Sequence, residues 1–317
     1  MPQDDMPQVE EPGSTPFESA GSDAPLGPGL YLVATPIGNL GDITLRALHV
    51  LRRADRIACE DTRQTQKLLN HFQIATPTVS CHQHNEKSRA AELVESLKTG
   101  SRIALVSDAG MPGISDPGTW LVQEAIAAGI AVIPIPGANA ALSALVASGL
   151  PTGEFQFIGF LPEKAGARRT RLEDLAAASA KSTTQPTLIF YEAPHRILDS
   201  LADLESVWGP QLTIVLAREL TKIHEEFLRL TVSEAHRNLA ARDRVRGEFV
   251  LLVSPPRASA TGAHSASAHK TIGERLQILQ SELGIDEKEA LKRLARDLGQ
   301  SKSDLYRELQ RERAKRR

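Results

Sequence analysis

Three turns rich in glycine and proline contain the residues best suited to bind a ligand. They are TPIGNLGD at 35–42, SDAGMPGISDPG at 107–118 and PIPGANA at 134–140, and each follows a short apolar run typical of a buried strand. Ligands of open α/β sheets bind outside the carboxyl ends of the strands, so we expect the three turns to form one pocket. Each turn alone could simply reverse the chain.

The composition of these turns favours close approach of backbone to a ligand. Glycine and proline leave N–H and C=O groups directed at the pocket, and Asp108 could accept hydrogen bonds from a hydroxyl or an amine. None of the three is a G-x-G-x-x-G or a G-x-x-x-x-G-K-[ST] sequence. The pattern therefore argues against a Rossmann dinucleotide site and against a P-loop.

Acidic and histidine side chains that follow strands are candidates for a general base. Glu60 ends the run at 56–60 and Asp61 follows it, and Glu192 and His195 follow the run at 187–191, in a turn fixed by Pro194. The EDTR sequence could instead be a capping and ion-pair cluster, and His195 could be structural. The sequence does not rank the bases, and the remaining candidates are His84, Glu86, Glu219 and His224.

The HQHNE sequence at 82–86 invites comparison with a metal site. Two histidines at i and i+2 share a face of an extended segment, but no closing Cys or Asp cluster with zinc spacing follows. We therefore predict no metal, and we expect Asn85 and Glu86 to shape the acceptor pocket or to cap the following helix.

Several basic residues could contact phosphate, although single Arg and Lys side chains usually belong to the solvated surface. The most distinctive run is ARRTR at 167–171. Together with a basic C-terminal tail it could contact folded RNA, whose backbone dominates affinity. Aromatic residues make up only 4% of the chain, which favours recognition of shape and backbone, with Tyr191 or Phe160 near the target. The basic candidates are Arg63, Lys67, Arg168, Arg169, Arg171, Arg196, Arg218 and Lys222.

Alternating strand and helix patterns must position these residues. In residues 29–150 the alternation is regular and predicts an α/β domain with a mainly parallel sheet. In residues 151–254 two strands follow one another without a helix between them, which predicts an α+β domain with a mixed sheet. Asp116 and Pro117 are expected to be the N-cap and first-turn proline of a helix that runs to about Gly129.

The two ends of the chain differ in charge. Residues 1–28 contain six acids and no Lys or Arg, which is typical of a disordered acidic leader. The Ala- and Ser-rich segment 255–269 predicts a flexible linker. Residues 270–317 carry thirteen bases and nine acids and read as a small helical domain resembling a helix-turn-helix.

The overall composition excludes several classes of protein. A net charge of −2 argues against a polycationic nucleic-acid binder, and two cysteines give no disulfide framework and fit a reducing compartment. The start does not resemble a signal peptide. The uncharged stretch 125–153 contains Pro134, Pro136 and Gly149, and is expected to be core rather than a membrane span. We therefore expect a cytoplasmic protein.

Six motifs in register over residues 30–254 resemble one known group. TPIGNLGDITLRA, CEDTRQT, HQHNE, SDAGMPGISDPG, FYEAPHR and ARELTKIHEE are similar to the ribosomal RNA small subunit methyltransferase I group of the tetrapyrrole methylase superfamily. The resemblance implies a two-domain fold that binds S-adenosylmethionine in the interdomain cleft. It also implies methylation of the ribose 2'-hydroxyl of a cytidine in the decoding centre of 16S rRNA, by a homodimer without metal or membrane attachment.

Among the candidate bases that follow strands, we take Glu60, Asp61, Glu192 and His195 as the catalytic candidates. The resemblance itself implies cofactor contacts. The cofactor contacts fall on Thr35, Pro36, Gly38, Asp108, Ala109, Gly110, Pro136, Gly137, Asn139, Ala140 and Tyr191. The chain departs from the group at Met111, where Thr is usual, at Gly113, where a larger apolar residue is common, and at Asn139, where Ser is usual.

Three alternative functions are compatible with parts of the pattern. A methylase of the same fold could act on a tetrapyrrole, but the basic tail and the motifs EDTR and YEAPHR argue against it. A non-catalytic RNA-binding or ribosome-assembly protein would not need the intact Gly and Pro turns. A nucleotide-dependent reductase lacks its fingerprint.

Overall fold

The computed structural model describes residues 25–82, 85–181 and 184–256, and parts of the C-terminal region, namely residues 276, 280, 286–297, 305, 306 and 309. The chain divides into two compact units, residues 1–256 and 257–317. The first unit contains two five-stranded sheets.

The first sheet is entirely parallel, with the strand order β3-β2-β4-β1-β5. Apolar residues cover both of its faces, because alternate residues of β1 point to opposite sides: Leu30 joins the core beneath α3 and α4, and Tyr31 the core beneath α1 and α2. The strands are β1 (Gly29–Val33), β2 (Arg56–Cys59), β3 (Thr78–Ser80), β4 (Arg102–Leu105) and β5 (Val132–Ile135). The helices are α1 (Leu45–Arg53), α2 (Thr62–His71), α3 (Glu86–Lys98), α4 (Thr119–Ala127) and α5 (Ala140–Ser148), and a 3-10 turn spans Leu40–Asp42.

The second sheet is mixed, with the order β6-β7-β10-β8-β9, in which only the β6–β7 pair is parallel. Three helices cover one face, and α5 of the preceding lobe covers the other through Ala141, Ala144 and Leu145. The strands are β6 (Phe155–Phe160), β7 (Thr187–Glu192), β8 (Thr213–Arg218), β9 (Glu226–Thr231) and β10 (Phe249–Ser254). The helices are α6 (Ala165–Lys181), α7 (Ile197–Trp208) and α8 (Val232–Ala240).

This architecture confirms the predicted fold class, a parallel-sheet domain followed by a mixed-sheet domain. The expected helix start at Asp116 is wrong: α4 begins at Thr119, with Gly118 as its N-cap residue. The capping acceptor comes from another helix, because Glu86 Oε1 accepts hydrogen bonds from the backbone N–H of Gly118 (2.9 Å) and Trp120 (3.0 Å). The Asp116 side chain therefore does not cap α4.

The C-terminal unit contains a helix over Glu287–Asp297, and its described apolar residues Leu276, Ala290, Leu291, Leu294, Leu305 and Leu309 form a small core. The predicted leader falls mainly on residues 1–24, the linker mainly on 257–269, and the turn of the predicted helix-turn-helix on 298–304, all outside the described residues. Within the described parts of the chain, no helix has the length and hydropathy of a membrane span.

Candidate active site

The first two of the three predicted turns pair directly with one another. The backbone N–H of Thr35 donates to the carbonyl oxygen of Gly110 (2.9 Å), and the N–H of Gly110 donates to that of Thr35 (3.0 Å). The Thr35 hydroxyl, which is buried, donates to the carbonyl oxygen of Ser107 (3.1 Å). These bonds fix the turn after β1 against the turn after β4.

The third turn packs against the first two. A β-carbon at Gly137 would lie 2.8 Å from that of Ala34, and one at Gly110, whose φ is +84°, would be in van der Waals contact with the Ile37 side chain (3.4 Å) and the carbonyl oxygen of Ala138 (3.6 Å). Since β4, β1 and β5 are neighbours in the sheet, the three turns meet at its carboxyl edge, as expected.

A cavity of 550 Å³ lies between this edge and the second sheet. Its volume is within the range of about 300–1,000 Å³ usual for small-molecule sites. The wall from the first lobe consists of Ile37, Glu60, Asp108, Ala109, Gly110, Met111, Ile114, Ser115, Asp116, Asn139 and Ala140. The wall from the second lobe consists of Phe160, Tyr191, Glu192, Ala193, Pro194, His195, Ala217, Glu219, Leu220, Lys222, Glu248, Phe249 and Val250.

The structure brings nine of the expected site residues to this cavity: Glu60, Asp108, Ala109, Gly110, Asn139, Ala140, Tyr191, Glu192 and His195. Six others, Thr35, Pro36, Gly38, Asp61, Pro136 and Gly137, do not line it. Thr35 and Gly137 instead hold the turns together, and Gly38 packs against Lys222, as described below.

Three carboxylates share the first-lobe wall. Burial raises the pKa of Asp116 to about 6, and the charges of Glu60 and Asp108 add to the rise while a hydrogen bond with Ser107 opposes it. Burial, followed by the charge of Asp108, also raises the pKa of Glu60. The cavity therefore contains a carboxyl group that titrates close to neutrality, which is typical of a general base.

Two of the predicted acids have their oxygens occupied. Asp61 caps α2: Oδ1 accepts from the backbone N–H of Arg63 (2.8 Å), and both oxygens accept from its guanidinium. Glu192 is buried, and its oxygens accept from the backbone N–H of Ala193 (2.9 Å) and the hydroxyl of Ser200 (2.6 Å) and pair with Arg196 (3.2 Å). The alternative explanation of EDTR, a capping and ion-pair cluster, therefore holds for Asp61.

The opposite wall of the cavity includes a compact ion-pair group. Lys222 Nζ donates to Glu219 Oε1 (2.8 Å) and to Glu248 Oε2 (3.0 Å), and Glu219 Oε1 also accepts from the backbone N–H of Glu248 (3.0 Å). Burial, the largest single cause, would raise the pKa of Glu219, but the hydrogen bonds from Lys222 and from the N–H of Glu248, together with the charges of Lys222 and Arg218, outweigh it, so the pKa is lowered. Lys222 is thereby held at the cavity, where sequence reasoning had considered it only as a phosphate contact.

Another suggested phosphate contact has a structural role. Arg168 is buried and donates through Nε to Asp203 Oδ2 (2.7 Å), while the half-exposed Arg169 pairs with Oδ1 of the same carboxylate (3.0 Å). These bonds join α6 to α7. The ARRTR run therefore presents fewer free cations than its composition suggested.

Sequence reasoning placed the turn 107–118 at the pocket but did not single out the side chain of Asp116, because the Asp-Pro pair was interpreted as a helix start. Nor did it single out as wall residues Ser115, which has a φ of +60°, or the apolar residues Met111 and Ile114 of the same turn. Non-glycine residues with positive φ are uncommon and occur often at functional sites, but this signal is visible only in the structure.

The charge distribution of the cavity suits a small ligand with both positive and negative groups. The carboxylates of Glu60, Asp108 and Asp116 favour a cation. The amino end of α5, where the Asn139 side chain caps the N–H of Leu142 (2.9 Å), favours an anion through the helix dipole. Among the described residues, no group of three or more His, Cys, Asp or Glu is arranged to hold a metal ion, and His84 lies outside them.

The chain matches known proteins along most of its length. Residues 29–236 match the family described as Tetrapyrrole (Corrin/Porphyrin) Methylases. A protein of Halalkalibacterium halodurans named Ribosomal RNA small subunit methyltransferase I is 51% identical over 87% of this chain and 93% of its own length. A protein of the same name from Vibrio cholerae is 52% identical over 71% of this chain and 77% of its own length.

Solved structures share the fold at low sequence identity. The methyltransferase CobJ has a TM-score of 0.54 at 20% identity, over 74% of this chain and 97% of its own. Diphthine synthase has a TM-score of 0.52 at 17% identity, over 71% of this chain and 89% of its own. The chain therefore belongs to the tetrapyrrole methylase family and, within it, to the ribosomal RNA small subunit methyltransferase I group, and it is an S-adenosylmethionine-dependent methyltransferase.

Proposed function

We propose that this protein methylates the ribose 2'-hydroxyl of a cytidine in the decoding centre of 16S rRNA, within the small ribosomal subunit. The names of relatives at 51% and 52% identity support an rRNA substrate of that subunit. The motifs CEDTRQT and FYEAPHR, which resemble the RNA-methylating group rather than its tetrapyrrole-acting relatives, support the ribose of a cytidine as acceptor.

The cavity fits S-adenosylmethionine in size and charge. Its 550 Å³ accommodates a nucleoside-sized ligand, and glycine at position 110 lets the backbone of the second turn approach it without a side chain. We assign the cationic sulfonium and ammonium to the side of Asp108 and the other carboxylates, and the carboxylate to the amino end of α5 near Asn139 and Ala140.

When bound, the cofactor supplies a methyl group on a positively charged sulfur, and transfer to oxygen removes that charge. The protein contributes orientation, since walls from two lobes fix the acceptor and the donor relative to each other. Apolar residues of both walls, among them Met111, Ile114 and Phe249, exclude water and lower the local dielectric.

One observation carries the catalytic part of the proposal: a half-buried carboxyl group with a pKa of about 6, Asp116, faces the cavity. A ribose hydroxyl is a weak acid, and a carboxylate beside it accepts its proton as the bond to carbon forms. Burial raises the pKa of Asp116, and the charges of Glu60 and Asp108 add to the rise. Asp116 is therefore our choice for the general base.

Three of the four catalytic candidates then take other roles. Glu60 tunes the pKa of Asp116 from the same wall. Glu192 is a positioning residue, because its saturated carboxylate holds the turn that presents exposed His195 to the cavity. Asp61 positions Asp108, whose Oδ1 accepts from the backbone N–H of Asp61 (3.3 Å).

The test is methylation of isolated small subunits that lack the modification, using S-adenosylmethionine with an isotopically labelled methyl group. Nuclease digestion and mass spectrometry of the 16S rRNA should place one label on the ribose of a cytidine. Label on a base, on another nucleotide type or on a ribosomal protein contradicts the proposal. Parallel reactions with naked 16S rRNA show whether the assembled subunit is required.

We further propose that the enzyme acts as a homodimer, as the resemblance implies. Light scattering of the purified protein at micromolar concentration should give twice the chain mass of 34.4 kDa. A mass of one chain that persists on addition of S-adenosylmethionine argues against it.

A further inference from the structure

The edge strand β6 contains a bulge that reorients its aromatic residues. Its pairing with β7 runs Phe157 to Ile189 and then Gly159 to Phe190, so Ile158 is an extra residue. In a regular strand, residues 157 and 160 would point to opposite faces, because side chains alternate. The bulge instead brings both phenylalanines to the same neighbour.

That neighbour is Tyr191. Its ring centroid lies 5.0 Å from that of Phe157 and 5.7 Å from that of Phe160, both in edge-to-face geometry. Phe160 and Tyr191 line the cavity, and Phe160 is 53% exposed. An aromatic side chain this exposed adds little to the core of the sheet, so it is available to a ligand.

The bulge also lies against the turn that carries Asp116. Gly159 has a φ of +75°, and a β-carbon there would lie 3.2 Å from Oγ of Ser115, the residue directly before Asp116. The charge of Asp116 contributes to the raised pKa of Tyr191, after burial and an opposing hydrogen bond from the N–H of Ala141. The aromatic group and Asp116 therefore line neighbouring parts of the same cavity.

We propose that Phe160, supported by Phe157 and Tyr191, is the stacking surface for the nucleobase of the target nucleotide, and that it places the attached ribose beside Asp116. This inference rests on the proposed function. A reactive nucleotide must leave its stack to enter a cleft, and an aromatic face replaces part of the stacking that it loses. Stacking contributes to binding whichever base is present, so Phe160 anchors the nucleotide without specifying cytosine.

The experiment compares Phe160→Leu, which keeps an apolar side chain but removes the ring, with Phe160→Tyr, which keeps the ring. Phe155→Leu is the matched control, because Phe155 lies on the same strand, is 43% exposed and does not line the cavity. Each protein is assayed for methylation of isolated small subunits and, by calorimetry, for binding of S-adenosylmethionine.

We expect Phe160→Leu to lower kcat/KM for the small subunit about 5- to 150-fold, as for the loss of one stacked base, mainly through KM. The kcat/KM of Phe160→Tyr should stay within about threefold of the wild-type value, and that of Phe155→Leu should equal the wild-type value. All three variants should bind S-adenosylmethionine with unchanged affinity. Retained affinity also shows that each variant is folded.

Each contrary outcome identifies what has failed. If the wild type does not methylate small subunits, the proposed function fails. If the wild type is active and Phe160→Leu behaves like Phe155→Leu, the stacking surface is refuted. If Phe160→Leu weakens S-adenosylmethionine binding as much as it lowers kcat/KM, the ring contacts the adenine of the cofactor, which also overturns the inference.

Discussion

The side chain of Lys222 packs on Gly38: a β-carbon at position 38 would lie 2.4 Å from Cγ of Lys222. The contact joins the turn after β1 to the hairpin between β8 and β9, where Glu219 and Thr221 both have positive φ. The Lys222 ammonium in turn holds Glu219 and Glu248 at the cavity wall. Gly38 does not line the cavity, but the absence of a side chain at this position leaves room for the aliphatic part of Lys222, which does.

We predict that Gly38→Ala lowers methyltransferase activity and destabilises the fold by about 1–3 kcal/mol. The new methyl group displaces Lys222, and the φ of +152° is strained for alanine. Urea unfolding measures the stability. Gly153→Ala is the control, since its φ is not positive and no atom lies within 4 Å of the added carbon. Equal stability of the two variants would mean that the Lys222 stem can move aside freely.

We predict that Asp108→Ala weakens binding of S-adenosylmethionine about 10- to 150-fold, the cost of losing a charge-assisted hydrogen bond of about 1.5–3 kcal/mol. Calorimetry measures the affinity. Asp42→Ala, which removes an exposed carboxylate at the end of the first turn that does not line the cavity, should bind normally. Unchanged affinity of Asp108→Ala would remove this residue from the cofactor site.

Arg168→Ala should reduce the free energy of unfolding by about 3 kcal/mol, because it leaves the buried Asp203 carboxylate with only Arg169. Arg171→Ala, at an exposed position of the same helix, should change it by less than about 0.5 kcal/mol. Thermal and urea unfolding report both values. A stable Arg168→Ala protein with impaired RNA binding would restore Arg168 as a phosphate contact.

Deleting residues 270–317 should weaken binding to the small subunit while S-adenosylmethionine affinity stays within about twofold. The deleted segment carries thirteen of the 37 basic residues, and it lies within a compact unit separate from residues 1–256. The salt dependence of RNA binding should also become shallower, because fewer counterions are released. Equal loss of both affinities would mean that the tail stabilises the catalytic lobes.

The order of elements was largely predictable because hydrophobic periodicity is strong in the buried strands. Apolar periodicity alone predicts a helix at 86–98 and a strand at 155–160, and α3 and β6 have these bounds. Helix α2 was missed because its only fully buried apolar residue is Leu69, and β3 because three half-buried residues give no pattern. Local signals predict an element only when it buries a regular apolar face.

The site was predictable only where it depends on backbone. Glycine and proline marked the turns around Gly110 and Gly137, since close approach restricts residue type at the position itself. The roles of Asp116, Phe160 and Lys222 depend on partners far along the chain: Glu86 caps the helix that Asp116 was expected to cap, and the β6 bulge directs Phe160. Contacts between residues that are far apart in the chain cannot be predicted from local sequence patterns.

The pH dependence of methyl transfer tests the choice of base. If Asp116 accepts the ribose proton, kcat/KM for the small subunit should rise about tenfold per pH unit below an apparent pKa near 6 and level off above it, since only the carboxylate form is active. Asp116→Asn should lower the rate about 10²- to 10⁴-fold and abolish this rise. If the residual kcat/KM of Asp116→Asn still rises with pH as in the wild type, the group that titrates is not Asp116.

A second variant tests how the neighbouring charges set this pKa. The charges of Glu60 and Asp108 add to the raised pKa of Asp116, and the charge of Asp116 adds to that of Tyr191, so the apparent pKa of the activity profile belongs to the cluster. Burial is the largest cause of the raised pKa and would remain in Glu60→Gln, but the repulsion from Glu60 would be lost. The rise in activity should therefore move to lower pH in Glu60→Gln. A rise that disappears would make Glu60 itself the proton acceptor, and a rise that moves to higher pH would contradict the repulsion from Glu60.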